Sequence, residues 1–245
     1  MNTRNALLRT TAVGAVLCAV LRLLELRFAF EGTLPVQGHP LGTLMPILLL
    51  LTLAALPLLG LRLPKGRRSA EDAFDFSEAQ GTLPLTLLVG GAFLTLFSGI
   101  ALLLQNRRLL SPSILAGMAA LLLSGAFLLS ASFSLRRSKP AGLPLLLPVC
   151  VSLGYLVTQY MQSAKTPTLA LYYPQILALA ALSCGQLALC GYCFGNGSDR
   201  QLLPLSCAVT VLTAVVAVSL PLPLTLYLLG GALYLLGALL GWKAA

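Results

Sequence analysis

Cys190-Gly191-Tyr192-Cys193 forms a C-x-x-C in a chain with six cysteines and a single histidine. On a helix this spacing sets two thiols about one turn apart, close enough for a redox pair or for two metal ligands. A zinc site would need a second C-x-x-C or nearby histidines, and neither follows; His39 stands alone. The cysteines at 18, 150, 184, 190, 193 and 207 all lie in or beside apolar stretches, which is not the pattern of a secreted disulfide framework. In such a setting cysteine also serves as a small hydrophobe.

Two polar stripes offer a different chemistry. Gln175, Ser183, Gln186, Cys190 and Cys193 are spaced 8, 3, 4 and 3 residues apart, 18 in all. At 3.6 residues per turn that is about five turns, so they share one helical stripe, interrupted by Leu179. Ser152, Tyr155, Gln159 and Gln162, spaced 3, 4 and 3, make an unbroken stripe on the preceding apolar stretch. Amides and hydroxyls are poorly solvated by lipid, so both stripes are expected to face protein, and consecutive antiparallel helices would bring them together. They can act as interhelical glue or line a path for a small solute.

Arg22 and Glu25, three apart near the end of the first apolar stretch, can pair on one helix face. Counted from Thr10 at 1.5 Å per residue, they lie about 18 and 22 Å along the span. An ion pair at that depth is a site by default; a shorter span would instead let both side chains snorkel to the interface.

The elements that position these residues are membrane spans. Hydrophobic residues make up 58% of the 245 and charged residues only 9%, against about 25% charged in a soluble domain. Crossing a bilayer core of about 30 Å takes roughly 20 apolar residues. Eight such stretches occur, near 10–30, 43–62, 83–104, 113–135, 143–162, 170–193, 203–219 and 222–241. The expected fold is one all-α domain over 1–245, a polytopic bundle of eight transmembrane helices with short loops. The break at Ser219-Leu220-Pro221-Leu222-Pro223 reads either as a tight turn between two spans or as one kinked element. A first apolar run of signal-peptide length follows Arg4 and Arg9, but Arg22, Glu25 and Arg27 stand where a cleavage site would.

The net charge is +9, and the cations punctuate apolar spans without forming a basic face, which argues against nucleic acid. With the N-terminus inside, eleven of the sixteen Lys and Arg fall on the inner side and four on the outer, with Arg22 inside the first span. That bias predicts both termini in the cytoplasm of a multi-pass protein. Acidic phospholipid headgroups are the expected counter-charge, alongside a membrane-protein partner or a second copy of the chain. The longest polar segment, 63–82, is expected as a cytoplasmic loop that lies on the inner membrane surface, since Phe74 and Phe76 interleave in it. Gly191-x-x-x-Gly195, Gly237-x-x-x-Gly241 and a small face of Ser113, Gly117, Ala120 and Ser124 are expected to mark close helix contacts. No phosphate-loop, H-E-x-x-H or G-x-S-x-G pattern occurs, and no cofactor or metal motif does.

The stretch from Arg22 to Thr33, Arg-Leu-Leu-Glu-Leu-Arg-Phe-Ala-Phe-Glu-Gly-Thr, resembles the end of the first helix and the first outer loop in a family of uncharacterised bacterial multispanning membrane proteins. The resemblance implies a bacterial membrane protein and brings no activity with it. The residues themselves point first to a permease-type protein with a polar seam between the fifth and sixth spans. The other readings are an assembly subunit whose stripes only hold helices together, and a membrane thiol oxidoreductase using Cys190 and Cys193.

Overall fold

Long apolar stretches closed by short polar links fold, in the computed structural model, into eight helices long and apolar enough to cross a membrane. The structure describes residues 3–31, 34–36, 39–63, 65–74, 76, 82–106, 111–136, 142–163 and 169–243. In chain order the helices are α1 (Thr3–Phe28), α2 (Pro40–Gly60), a single turn α3 (Ala70–Ala73), α4 (Thr82–Gln105), α5 (Pro112–Arg136), α6 (Gly142–Ser163), α7 (Leu169–Cys193), α8 (Asp199–Val216) and α9 (Leu222–Leu240). A two-residue antiparallel ribbon, β1 (Phe30–Glu31) with β2 (Leu34–Pro35), lies in the link from α1 to α2. The chain is thus the all-α polytopic bundle that its hydropathy implies.

The helix ends refine the sequence reading. α1 begins at Thr3, seven residues before the apolar run, so Arg4 and Arg9 belong to the helix. Arg4 Nη2 donates to the Leu240 carbonyl at 2.9 Å, a last-turn oxygen of α9 with no partner inside its own helix. That bond places the start of α1 and the end of α9 at one end of the bundle, the terminal end. The 219–223 break is a turn between two separate helices, with Pro221 as the N-cap of α9. Prolines 46, 57, 148, 174 and 204 all lie inside helices. Neighbouring helices make that tolerable in a bundle. Of the link 105–112, residues 107–110 lie outside the described residues.

Helices α8 and α9 form the centre: 67% of each span is buried, against 28% of α1 and 22% of α2. α1 and α2 pack on α8, while α4 and α7 flank α9, and α5 and α6 close the circuit between them. The tightest approach is α4 against α9. A Cβ on Gly91 would lie 2.5 Å from the Gly230 carbonyl, and one on Gly230 would lie 2.7 Å from the Gly91 carbonyl. A Cβ on Gly237 would meet the Pro84 carbonyl at 2.8 Å. Gly230 and Gly237 are seven apart, so both face α4. Lipid is as apolar as the helix surfaces, so van der Waals packing through small residues drives such contacts.

Two of the expected small-residue contacts turn out differently. Gly195 lies beyond α7 with φ +71, a turn that only glycine adopts readily, and a Cβ on Gly191 would meet nothing closer than 3.6 Å. Gly241 caps α9 and lies against the Phe76 ring. The small face of α5 does pack inward at Ser124, which is fully buried, and Gly117 lies against Leu102 and Tyr155.

Candidate functional site

The two stripes meet as helical periodicity requires. Gln175 Nε2 of α7 donates to Gln159 Oε1 of α6 at 2.7 Å. About two turns below, Ser183 Oγ donates to Ser152 Oγ at 2.9 Å, and Ser152 Oγ donates to Gln186 Oε1 at 3.2 Å. Gln175, Ser183 and Gln186 are buried, as is Leu179 between them. Gln162 belongs to α6, but its side chain lies outside the described ones. Cys190 continues the α7 stripe and its Sγ donates to the Gly142 carbonyl at 3.4 Å. Cys193 is half-buried at the end of α7. Among the described residues no group of three or more His, Cys, Asp and Glu is placed to hold a metal.

Helices α5 and α9 add groups that the stripes alone do not reveal. The Tyr155 and Tyr227 rings stack with centroids 5.6 Å apart. Tyr234, two turns along α9 from Tyr227, donates to the Leu128 carbonyl at 3.3 Å and accepts from Ser132 at 3.5 Å. Polar side chains of α5, α6, α7 and α9 thus run in a column, from Gln159 and Gln175 to Ser132, Tyr234 and Cys190. Tyrosine in an apolar span signals an amphipathic ring but not the face it takes.

A cavity of about 120 Å³ opens at the head of this column, at the end away from the termini. Its walls come from Leu102 and Gln105 of α4, Leu121 of α5, Tyr155 and Gln159 of α6, and the entry to α9 at Pro221 and Leu224. Gln105 and Pro221 are exposed at the rim. Tyr227 forms the base; it is 1% exposed, and its hydroxyl faces the Ser152 and Ser124 side chains without closing a well-formed hydrogen bond to either. Ser124 Oγ is also buried, with the Tyr227 hydroxyl as its polar neighbour. Below Tyr227 the Ser152, Ser183 and Gln186 cluster closes the column.

The Arg22–Glu25 pair exists and is buried. Nη1 of Arg22 lies 2.6 Å from Oε2 of Glu25, with the side chains 0% and 4% exposed. The Arg22 guanidinium sits 5.9 Å from the centre of the Phe30 ring, so the chain leaving α1 folds back as a cover. Both side chains therefore stay inside the protein and do not snorkel. Tyr173 of α7 stands alongside, its hydroxyl donating to Met45 Sδ at 3.1 Å.

A second polar centre, not picked out in the sequence, closes the terminal end. Asp199, at the start of α8, is 2% exposed. Its Oδ1 accepts from the Tyr192 hydroxyl and, at 2.9 Å, from Trp242 Nε1; its Oδ2 lies 3.2 Å from Arg68 Nη1. Arg68 also donates to the Lys243 carbonyl at 3.0 Å and to the Asp72 carbonyl. The loop after α2 is therefore docked on the bundle, paired through Arg68 with Gly197 and through Phe74 with Trp242. Phe74 and Phe76 of this loop turn toward the bundle. They are buried, Phe74 against the Tyr192 ring at 5.1 Å and Phe76 against Gly241. An Asp in the first turn of a helix and the lone Trp after the last span were the available signals.

Compared with known proteins, the chain matches no family model, no curated protein and no solved structure.

Proposed function

We propose that this multispanning protein is of the permease type and binds a small solute in the cavity between α4, α5, α6 and α9. The observation that carries this reading is Tyr227. Tyr227 lines the cavity, and its buried hydroxyl, set between the Ser152 and Ser124 side chains, closes no well-formed hydrogen bond with either. An unmatched hydroxyl in an apolar setting costs about 1–3 kcal/mol by mutational measures, and a polar atom of a bound solute removes that cost. The walls suit a solute with a polar head and an apolar body: Tyr155, Gln159 and Gln105 supply polar atoms, and Leu102, Leu121 and Leu224 supply apolar area. A volume of about 120 Å³ admits several waters or a solute of few heavy atoms. Passage through the bundle would require α6 and α7 to part at Ser152, Ser183 and Gln186. The charge bias puts the terminal end in the cytoplasm and the cavity on the outer side.

A second reading, a structural or assembly subunit, is favoured by the α6–α7 contacts. There the Gln159 and Gln175 amides bond to each other, as interhelical glue would. A thermal-shift screen of the purified full-length chain against short-chain alcohols, amides and acids separates the two. A solute that raises the melting temperature of the wild type but not of Tyr227→Phe supports the cavity. A shift that persists in Tyr227→Phe, or none across the panel, favours the structural subunit.

A further inference from the structure

At the opposite end from the solute cavity, a cleft of about 610 Å³ opens where the loop after α2 meets the first turn of α8. Lys65, Arg67 and Arg200 line it together with Asn196, Ser198 and Gln201, and among the described residues no carboxylate does. The three cations are positioned differently. Arg200 is fixed by its Nε, which donates to the Leu63 carbonyl at 2.8 Å, so its two Nη groups are left for another acceptor. Arg67 is steered by one Nη to Asn196 Oδ1 at 3.2 Å. Lys65 is exposed and makes no hydrogen bond or ion pair among the described residues.

Two described carboxylates at this end of the bundle are engaged elsewhere. Asp199 gives both carboxylate oxygens to Tyr192, Trp242 and Arg68. Asp72 accepts from the Ser69 hydroxyl at 2.7 Å. The first turn of α8 adds its positive end, and Ser198 at the N-cap makes no side-chain cap bond. Three cations, a helix start and hydroxyl and amide donors around one open volume are the chemistry that holds a phosphate.

The level of the cleft in the bundle identifies the source. Leu58 and Leu61, in the last turn of α2 and its cap, are 64% and 61% exposed, as lipid-facing residues are. Lys65 follows Leu61 by four residues, and Arg200 is the second residue of an 18-residue span. The cleft therefore sits where the bundle leaves the hydrocarbon, at phosphate depth, with apolar side chains just above for acyl chains. We propose that this cleft is a specific site for the phosphate of an anionic phospholipid in the leaflet on the terminal side.

The test is native mass spectrometry of the delipidated full-length chain titrated with phosphatidylglycerol, with phosphatidylcholine, and with inorganic phosphate alone. One phosphatidylglycerol should bind in preference to phosphatidylcholine. Lys65→Gln should weaken it about fivefold, and Lys65→Gln with Arg67→Gln about twenty-five-fold. Arg9→Gln, which removes one charge from α1 at the same end, should leave the affinity unchanged. Emission from Trp242, the single tryptophan, reports whether the adjoining Asp199 contacts survive in each variant. Equal binding of the two lipids, an equal loss in Arg9→Gln, or saturable inorganic phosphate that is lost with Lys65 and Arg67 would each overturn the lipid site.

Discussion

Trp242 Nε1 and Asp199 Oδ1 are 2.9 Å apart, and through that bond the residue after the last helix is tied to the first residue of the helix before it. The same oxygen accepts from Tyr192 at the end of α7, and Arg68 brings in the loop after α2. The end of α7, the start of α8, the loop after α2 and the segment after α9 therefore meet on one carboxylate. Asp199→Ala should cost about 3–5 kcal/mol, because it strands a cation and two donors that are largely out of water. Asp199→Asn keeps an acceptor oxygen for the indole and should cost less. Thermal unfolding in detergent measures the difference, and a change in Trp242 emission locates it. A melting temperature for Asp199→Ala equal to that of wild type would refute the latch.

The Arg22–Glu25 pair calls for a double-mutant cycle. Arg22→Leu alone leaves Glu25 buried and uncompensated, and should destabilise by about 3 kcal/mol or more. Arg22→Leu with Glu25→Leu should recover most of that loss, since a hydrophobic pair of similar bulk often replaces a buried ion pair at no cost. If the pair serves function and not only folding, the double variant will be stable and still fail in whatever uptake the wild type supports. Equal destabilisation by the single and double variants would mean the two charges do not compensate each other.

Adjacent glycines on α4 give a sharper contrast. Gly90 has open space at its Cβ position, so Gly90→Ala should stabilise by up to about 1 kcal/mol through helix propensity. Gly91 has the Gly230 carbonyl at 2.5 Å and the Tyr234 nitrogen at 2.7 Å, both backbone atoms that cannot swing aside. Gly91→Ala should cost about 1–3 kcal/mol by forcing α4 from α9. Melting temperatures of the two variants should fall on opposite sides of wild type. Two equal values would show that the α4–α9 contact is looser than described.

What could be read from the sequence was whatever repeats with the helix. Gln186 and Ser152 fall on protein-facing stripes because 3.6-residue periodicity fixes a face, and the two do touch. The spans themselves follow from length and hydropathy, so eight helices long and apolar enough to cross a membrane were legible. Asp199 was not, since a carboxylate beside a basic loop reads as solvated until the loop is known to fold back over it. Tyr227 and Tyr234 were hidden for a related reason: within an apolar span, sequence alone does not say which face a ring takes. The glycine contact was sought at Gly237 and Gly241 by the four-residue rule, whereas α9 uses Gly230 and Gly237, a seven-residue spacing. Neighbours decide such matters, and the identity of the neighbour of α9 is a property of the whole chain.

The thiols supply the last prediction. Cys190 is 2% exposed, and its Sγ reaches the Gly142 carbonyl at the start of α6, a weak bond that packs α7 against α6. Cys193 is one turn along, half-buried beside Tyr234. Small apolar packing accounts for both positions. Cys190→Ala with Cys193→Ala should therefore insert and fold, with a loss of about 1 kcal/mol or less from the sulfur contact. Alkylation in intact cells followed by intact mass measurement should find both residues as thiols, with the exposed Cys150 and Cys184 as internal controls. A disulfide between Cys190 and Cys193, or a bound metal that disappears in the double variant, would place thiol chemistry ahead of solute binding as the activity of this protein.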